Sequence, residues 1–219
     1  MIAFAAAVPA LVALAAERTQ RFERGIVGFR LHRVFDVHAG PYRRHDDMEL
    51  AGVYEDGRLV HVRVLHQQVG GRETDAQTKA QTAASYEHPS PLDVFARPYD
   101  PAHLAEYSYE PAGADTVRFR ALAQDAAHGD GTFTVDAAGD VVSVQYSPVV
   151  MPRYARSGTV TDERAEVLPG YWAATKETHH YGGRYAIFAG GADVTIEQSR
   201  FVRFASEAQA IAALDAGGI

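Results

Sequence analysis

Three side chains near the start of the chain are of types that could hold a metal ion or move protons. His32, Asp36 and His38 alternate through the stretch FRLHRVFDVHA, Phe29 to Ala39. Character repeats at every second residue, so the stretch reads as a β-strand with successive side chains on opposite faces. Asp36 and His38 then lie roughly 6–7 Å apart, close enough to be two ligands of one ion. His32 is about 13 Å from Asp36 by the same rise and joins them only if the strand bends sharply. These three are the candidate metal ligands. The chain has 10 histidines in all, but no HExxH and no other compact zinc spacing, so no cofactor is expected. Gly129-Asp130-Gly131 could cradle a phosphate only at the start of a helix, and it opens a strand instead. No G-x-S-x-G elbow and no obvious carboxylate pair is present, so no catalytic residue is assigned. A binding protein is expected rather than an enzyme.

The other face of the same strand carries Phe29, Leu31, Phe35 and Val37, with Arg33 among them. A stripe of this kind is either a filled core or the wall of an apolar cavity. Met48, Leu50, Phe119, Phe133, Tyr146 and Trp172 are the matching inward positions of later strands. Together with the first five they form the expected cavity lining.

These side chains need a sheet to hold them, and the chain supplies turn signals at strand spacing. Asp56-Gly57 demands positive φ and joins a strand over about 47–55 to one over about 58–67. Glu55 then faces Arg58, Tyr54 faces Leu59, Ala51 faces Val62 and Met48 faces Leu65. Further strands follow in DTVRFRALAQ, in the hairpin GTFTVDAAGDVVSVQYSP, and on both sides of Pro169-Gly170. Gly182-Gly183 and Gly190-Gly191 read as turns. Residues 72–111 differ, being rich in helix formers, then in proline and aromatics. They predict a helix over 75–86 capped by Thr74 or Asp75, and a helical turn near 102–106. An insert of this length is too long for a hairpin loop. It reads as a lid, with Leu92, Phe95 and Tyr99 turned toward the sheet. Ser206 caps a closing helix. The fold class expected is mainly β (α+β). About nine strands form a strongly curved antiparallel sheet or incomplete barrel, covered by N-terminal, insert and C-terminal helices.

Composition bounds the rest. The chain has 219 residues, 47% hydrophobic, a net charge of -7 and no cysteine. Disulfides, thiolate metal sites and cysteine catalysis are thereby excluded, and nucleic acid is not the expected partner. Ile2 to Ala16 is an uncharged apolar run, short of the roughly 20 residues a membrane span takes. It suits a secretory leader with a small-x-small site at Ala13-Leu14-Ala15, although no basic residue precedes it. The alternative is a buried first helix. The expected organisation is a leader over 1–16 and a single domain over 17–219, exported and without a permanent membrane span.

The order of elements resembles the LolA/LolB-type periplasmic lipoprotein carriers and their lipoprotein-sorting-like relatives. A leader-like run is followed by antiparallel strands, a helical insert, then more strands. GTFTVDAAGDVVSVQYSP matches that fold's hairpin of an apolar strand, D-x-x-G and a second apolar strand. VLPGYWAATKETHHYGGRYAIFAGGADVTIEQSRFVRF is similar to its terminal strands. The resemblance covers about residues 17–204. It implies an unclosed barrel whose hydrophobic cavity receives acyl chains, and an arginine in the lining that holds the lid, for which Arg33 is the candidate. The expected partner is a lipid or acylated protein. Two rival readings are a periplasmic metal-dependent enzyme using His32, Asp36 and His38, and an envelope-sensing module that binds a partner protein.

Overall fold

Asp56 and Gly57 take φ values of 48° and 78°, and the two-residue turn they make sets the register of the first hairpin. It joins β2 (Tyr42–Glu55) to β3 (Arg58–Val69) in the computed structural model, which describes residues 7–90, 94–153, 155–185 and 188–219. Glu55 faces Arg58 and Tyr54 faces Leu59, as expected. Beyond them the expected pairs slip. Ala51 faces Arg63 rather than Val62, and Met48 faces Gln67 rather than Leu65. Two bulges cause this: one extra β3 residue is inserted opposite Val53/Tyr54 and another opposite Glu49/Leu50. A bulge sharpens local twist and bends the strand, as a curved sheet requires.

The remaining strands are β1 (Ile26–Ala39), β4 (Arg72–Glu73), β5 (Tyr107–Pro111), β6 (Thr116–Ala121), β7 (Gly129–Val135), β8 (Val141–Pro148), β9 (Ala155–Leu168), β10 (Tyr171–Tyr185) and β11 (Phe188–Phe204). All belong to one 11-stranded sheet in the order β4-β3-β2-β1-β11-β10-β9-β8-β7-β6-β5. Every pair is antiparallel, and the first long strand meets the last, β1 against β11. The sheet is not closed into a barrel, and β4 and β5 are its two edges. The insert therefore starts at one edge and ends at the other, so topology carries it across the sheet.

The expected turns at Gly182-Gly183 and Gly190-Gly191 are not turns. β10 runs through the first pair and β11 through the second, with Gly182 facing Gly191 and Gly183 facing Gly190. Close approach explains the glycines: a Cβ on Gly190 would sit 2.0 Å from the His38 carbonyl oxygen.

Among the described residues three α-helices flank the sheet: α1 (Ala7–Phe22), α2 (Ala76–Glu87) and α3 (Glu207–Asp215). Asp75 caps α2 by accepting from the Thr78 amide at 2.7 Å, and Ser206 caps α3 by accepting from Gln209 at 3.4 Å. Leu50 and Ala51 are both fully buried but in different clusters. Successive strand residues point to opposite faces, so the sheet is covered on both. Ala51 and Val53 pack under α3 with Ala210, Leu214 and Ile219. Among the described residues the other, inner face carries a small apolar core of Val27, Tyr171 and Ala173 and two larger ones. One joins Phe29, Leu31, Met48, Leu50 and Val62 to Ala83 and Tyr86 of α2. The second joins Val117, Phe119, Phe133 and Val144 to Val12 and Ala15 of α1 and to Tyr99 of the insert. Each large side chain so buried contributes about 1.5–3 kcal/mol.

Candidate functional site

Between the two larger inner cores, beyond the small core of Val27, Tyr171 and Ala173, the sheet is not filled. A cleft of about 1550 Å³ lies there, bounded by the insert and by strands on both sides of the β1/β11 seam. Its apolar wall comes from Leu59, Val94, Phe95, Val144, Tyr146, Val150, Met151 and Val160. Phe95 lies flat on Tyr146, with ring centroids 3.8 Å apart. A second space of about 560 Å³ shares Pro152 and Tyr181 with the first and is lined by Phe35, Val37 and Ala39 and by four glycines of β10 and β11. The two adjoin at Pro152 and Tyr181, and the pair, called the trough below, extends toward the β1/β2 and β10/β11 tips.

The structure sorts the expected lining residues into three groups. Arg33 and Tyr146, with Phe95 of the insert, line the larger cleft. Phe35 and Val37 line the smaller one. Phe29, Leu31, Met48, Leu50, Phe119 and Phe133 are buried in the two cores and border neither space. Trp172 is half-buried beside Tyr171 and Ala173, away from both. Of the expected lid residues, Leu92 lies outside the described residues. Tyr99 is 1% exposed within the core, with the Arg97 and Arg164 guanidinium groups 5.8 and 5.6 Å from its ring. It anchors the insert. Arg33 extends its Nη1 to within 3.5 Å of the Tyr86 hydroxyl on α2, a long and weak contact.

The outward trio is not gathered. His32 bonds Asp47 at 2.9 Å and Asp36 bonds His45 at 2.8 Å, two separate cross-strand pairs. His38 borders the smaller space. Among the described residues no group of three His, Cys, Asp or Glu could hold a metal ion.

Sequence reasoning missed the polar floor of the cleft. Asp162 on β9 faces Glu177 on β10 directly. His179 donates to Glu177, and the Tyr181 hydroxyl lies 3.3 Å from His179 Nδ1. Glu177, His179 and Tyr181 share a face because they alternate along β10. The Asp162 Oδ1 is buried with no hydrogen-bond partner. Burial, with the like charge of Glu177, pushes its carboxyl up to about 7 despite the nearby guanidinium of Arg164. Deeper in, Glu23 accepts from Arg97 at 2.7 Å and from Arg164 at 2.5 Å. Burial alone would raise the Glu23 carboxyl, but those two arginines outweigh it and hold it below the usual range. The signal for the Asp162–Glu177 pair was present: counting outward in equal steps from the Pro169-Gly170 turn brings 162 opposite 177. The bulges in β9/β10 cancel by that point and leave this pairing intact.

No protein-family model and no curated protein sequence matches the chain. Among solved structures, a domain from Vibrio parahaemolyticus described as outer-membrane lipoprotein-sorting aligns over 93% of this chain and 97% of its own, at 13% identity and TM-score 0.44. A LolA superfamily protein from Nitrosomonas europaea aligns over 92% and 95%, at 8% identity and TM-score 0.35. A DUF1329 family protein from Desulfovibrio piger aligns over 91% and 94%, at 12% identity and TM-score 0.35. These are likenesses of fold, and what the site can do rests on this chain's own geometry.

Proposed function

We propose that the trough takes up the apolar chain of a lipid or of an acylated protein, without catalysis. The carrying observation is the unfilled inner face between two filled cores, roofed by an insert that crosses from one sheet edge to the other. Each methylene moved from water into such a space gains about 0.8 kcal/mol, so a long chain needs few polar contacts to bind. The polar floor faces the same space and suits the head of an amphiphile better than a chain alone.

Organic extraction of the purified protein followed by mass spectrometry tests this reading, together with titration by a fluorescent fatty acid. Co-purifying amphiphile and saturable uptake support it. A protein that carries none and takes up none refutes it.

The proposal includes export, for which the apolar run Ile2 to Ala16 is the support. No described helix is long and apolar enough to cross a membrane. Val12 and Ala15 sit in a core, so cleavage after Ala15 would strip two buried side chains from the domain. The intact mass of protein recovered from outside the cytoplasm separates a removed leader from a retained first helix.

A further inference from the structure

The trough runs toward one end of the sheet, and that end has an unusual charge. In an antiparallel sheet alternate hairpin tips gather at the same end. Here the β1/β2, β10/β11 and β8/β9 tips lie side by side, because the strand order runs β2-β1-β11-β10-β9-β8. The described residues of 37–44, 148–158 and 181–192, around these tips, include Arg43, Arg44, Arg153, Arg156 and Arg184 and no Asp or Glu, in a chain whose net charge is -7. Arg43, Arg153, Arg156 and Arg184 are exposed. Acids elsewhere at this end have partners: Asp36 with His45, Asp46 with Arg44, Asp193 with His180, Asp125 of the neighbouring β6/β7 connection with His128, and Glu73 with Lys79.

The same rim exposes large apolar groups. Tyr42 is 50% and Phe188 is 42% exposed, on neighbouring tips. The smaller part of the trough is bordered by Tyr42, Arg153 and Arg184. Arginines around exposed aromatic rings match a bilayer surface: the cations meet anionic headgroups while the rings sit at the headgroup level.

We infer that this rim docks on an anionic phospholipid bilayer, with the trough mouth facing the membrane. The arrangement would let a chain pass between bilayer and trough without crossing water. The docking itself does not depend on what the trough holds.

Co-sedimentation with vesicles tests it. The full chain is mixed with vesicles of phosphatidylglycerol and phosphatidylcholine, or of phosphatidylcholine alone, at low and high salt. Binding is expected only to the anionic vesicles and is expected to weaken with salt. The double variant R43Q/R156Q, at positions outside the trough lining, is expected to bind on the order of thirtyfold more weakly. These side chains are exposed, so its thermal melt should match the parent and its uptake of fluorescent fatty acid should persist. Equal binding to both vesicles, no binding to either, or undiminished binding by the variant overturns the inference. Retention on polyglutamate but not on anionic vesicles also overturns it, and assigns the rim to an acidic protein. Loss of fatty-acid uptake in the parent protein would strike the trough reading alone.

Discussion

The inner face of one sheet behaves in two ways. At the wings it is a solid core: Phe119 and Phe133 pack under α1 and the insert, and Phe29 and Leu50 pack under α2. In the middle it is open, and charged residues take the inward positions. Strands β9 and β10 carry Val160, Asp162 and Arg164, and Glu177, His179 and Tyr181, where the wings carry aliphatic and aromatic groups. Cover makes the difference. Where a helix or the insert packs directly on the sheet, burial rewards apolar side chains. Where the trough separates the insert from the sheet, a carboxylate such as Asp162 can persist, although its surroundings disfavour its charge.

Substitutions can break or sharpen this contrast. The largest effects belong to the wings and their anchors. Phe133→Ala should cost about 3–5 kcal/mol of folding stability by urea titration, whereas Tyr146→Ala on the trough wall should cost less than half of that and lower fatty-acid uptake instead. Equal losses at the two sites would mean that the middle is packed like the wings. Glu23→Gln should cost about 3–5 kcal/mol, because it leaves the buried guanidinium groups of Arg97 and Arg164 without their counter-charge. The depressed Glu23 carboxyl stabilises the fold above its unfolded pKa, and that contribution is lost as pH falls through the folded value. Acid denaturation below about pH 4 should therefore be blunted in the variant relative to its own neutral stability.

Asp162 should behave in the opposite sense. Its folded carboxyl titrates near 7 and its unfolded one near 3.8, so the folded state holds the proton more tightly. Stability from this group is full below the lower value and is lost as pH rises through the upper one. Asp162→Asn should thus be more stable than the parent by about 4 kcal/mol at pH 8, with the gap closing toward pH 4. A gap independent of pH would show that Asp162 is ionised and well solvated. The smallest effect is expected from Arg33→Ala. Its contact with Tyr86 is long, so α2 amides should exchange only slightly faster, by less than about 1 kcal/mol of local opening energy.

The wings were legible in the sequence and the middle was not. Period-two alternation in Phe29 to Ala39, the Asp56-Gly57 turn and the Asp75 and Ser206 caps are local signals, and each element they predict is present. Local signals cannot say where a face is covered. Phe29 and Phe35 share one face of one strand, yet Phe29 is in a core and Phe35 borders the trough, because α2 covers only the first. The paired glycines misled for the same reason. They read as turns along the chain, but their need is close contact across strands. The polar floor escaped because charged side chains on a strand are ordinarily outward, and only the pairing of β9 with β10 puts Asp162 and Glu177 over the same space.

The central claim, that a chain lies in the open middle and not in the wings, can be tested by NMR with methyl-labelled protein and a stearate carrying a nitroxide on its chain. The account predicts strong paramagnetic broadening of the Val150, Met151 and Val160 methyls, with Leu50 and Val117 left sharp. Uniform broadening, or none at the trough methyls under saturating ligand, would contradict it.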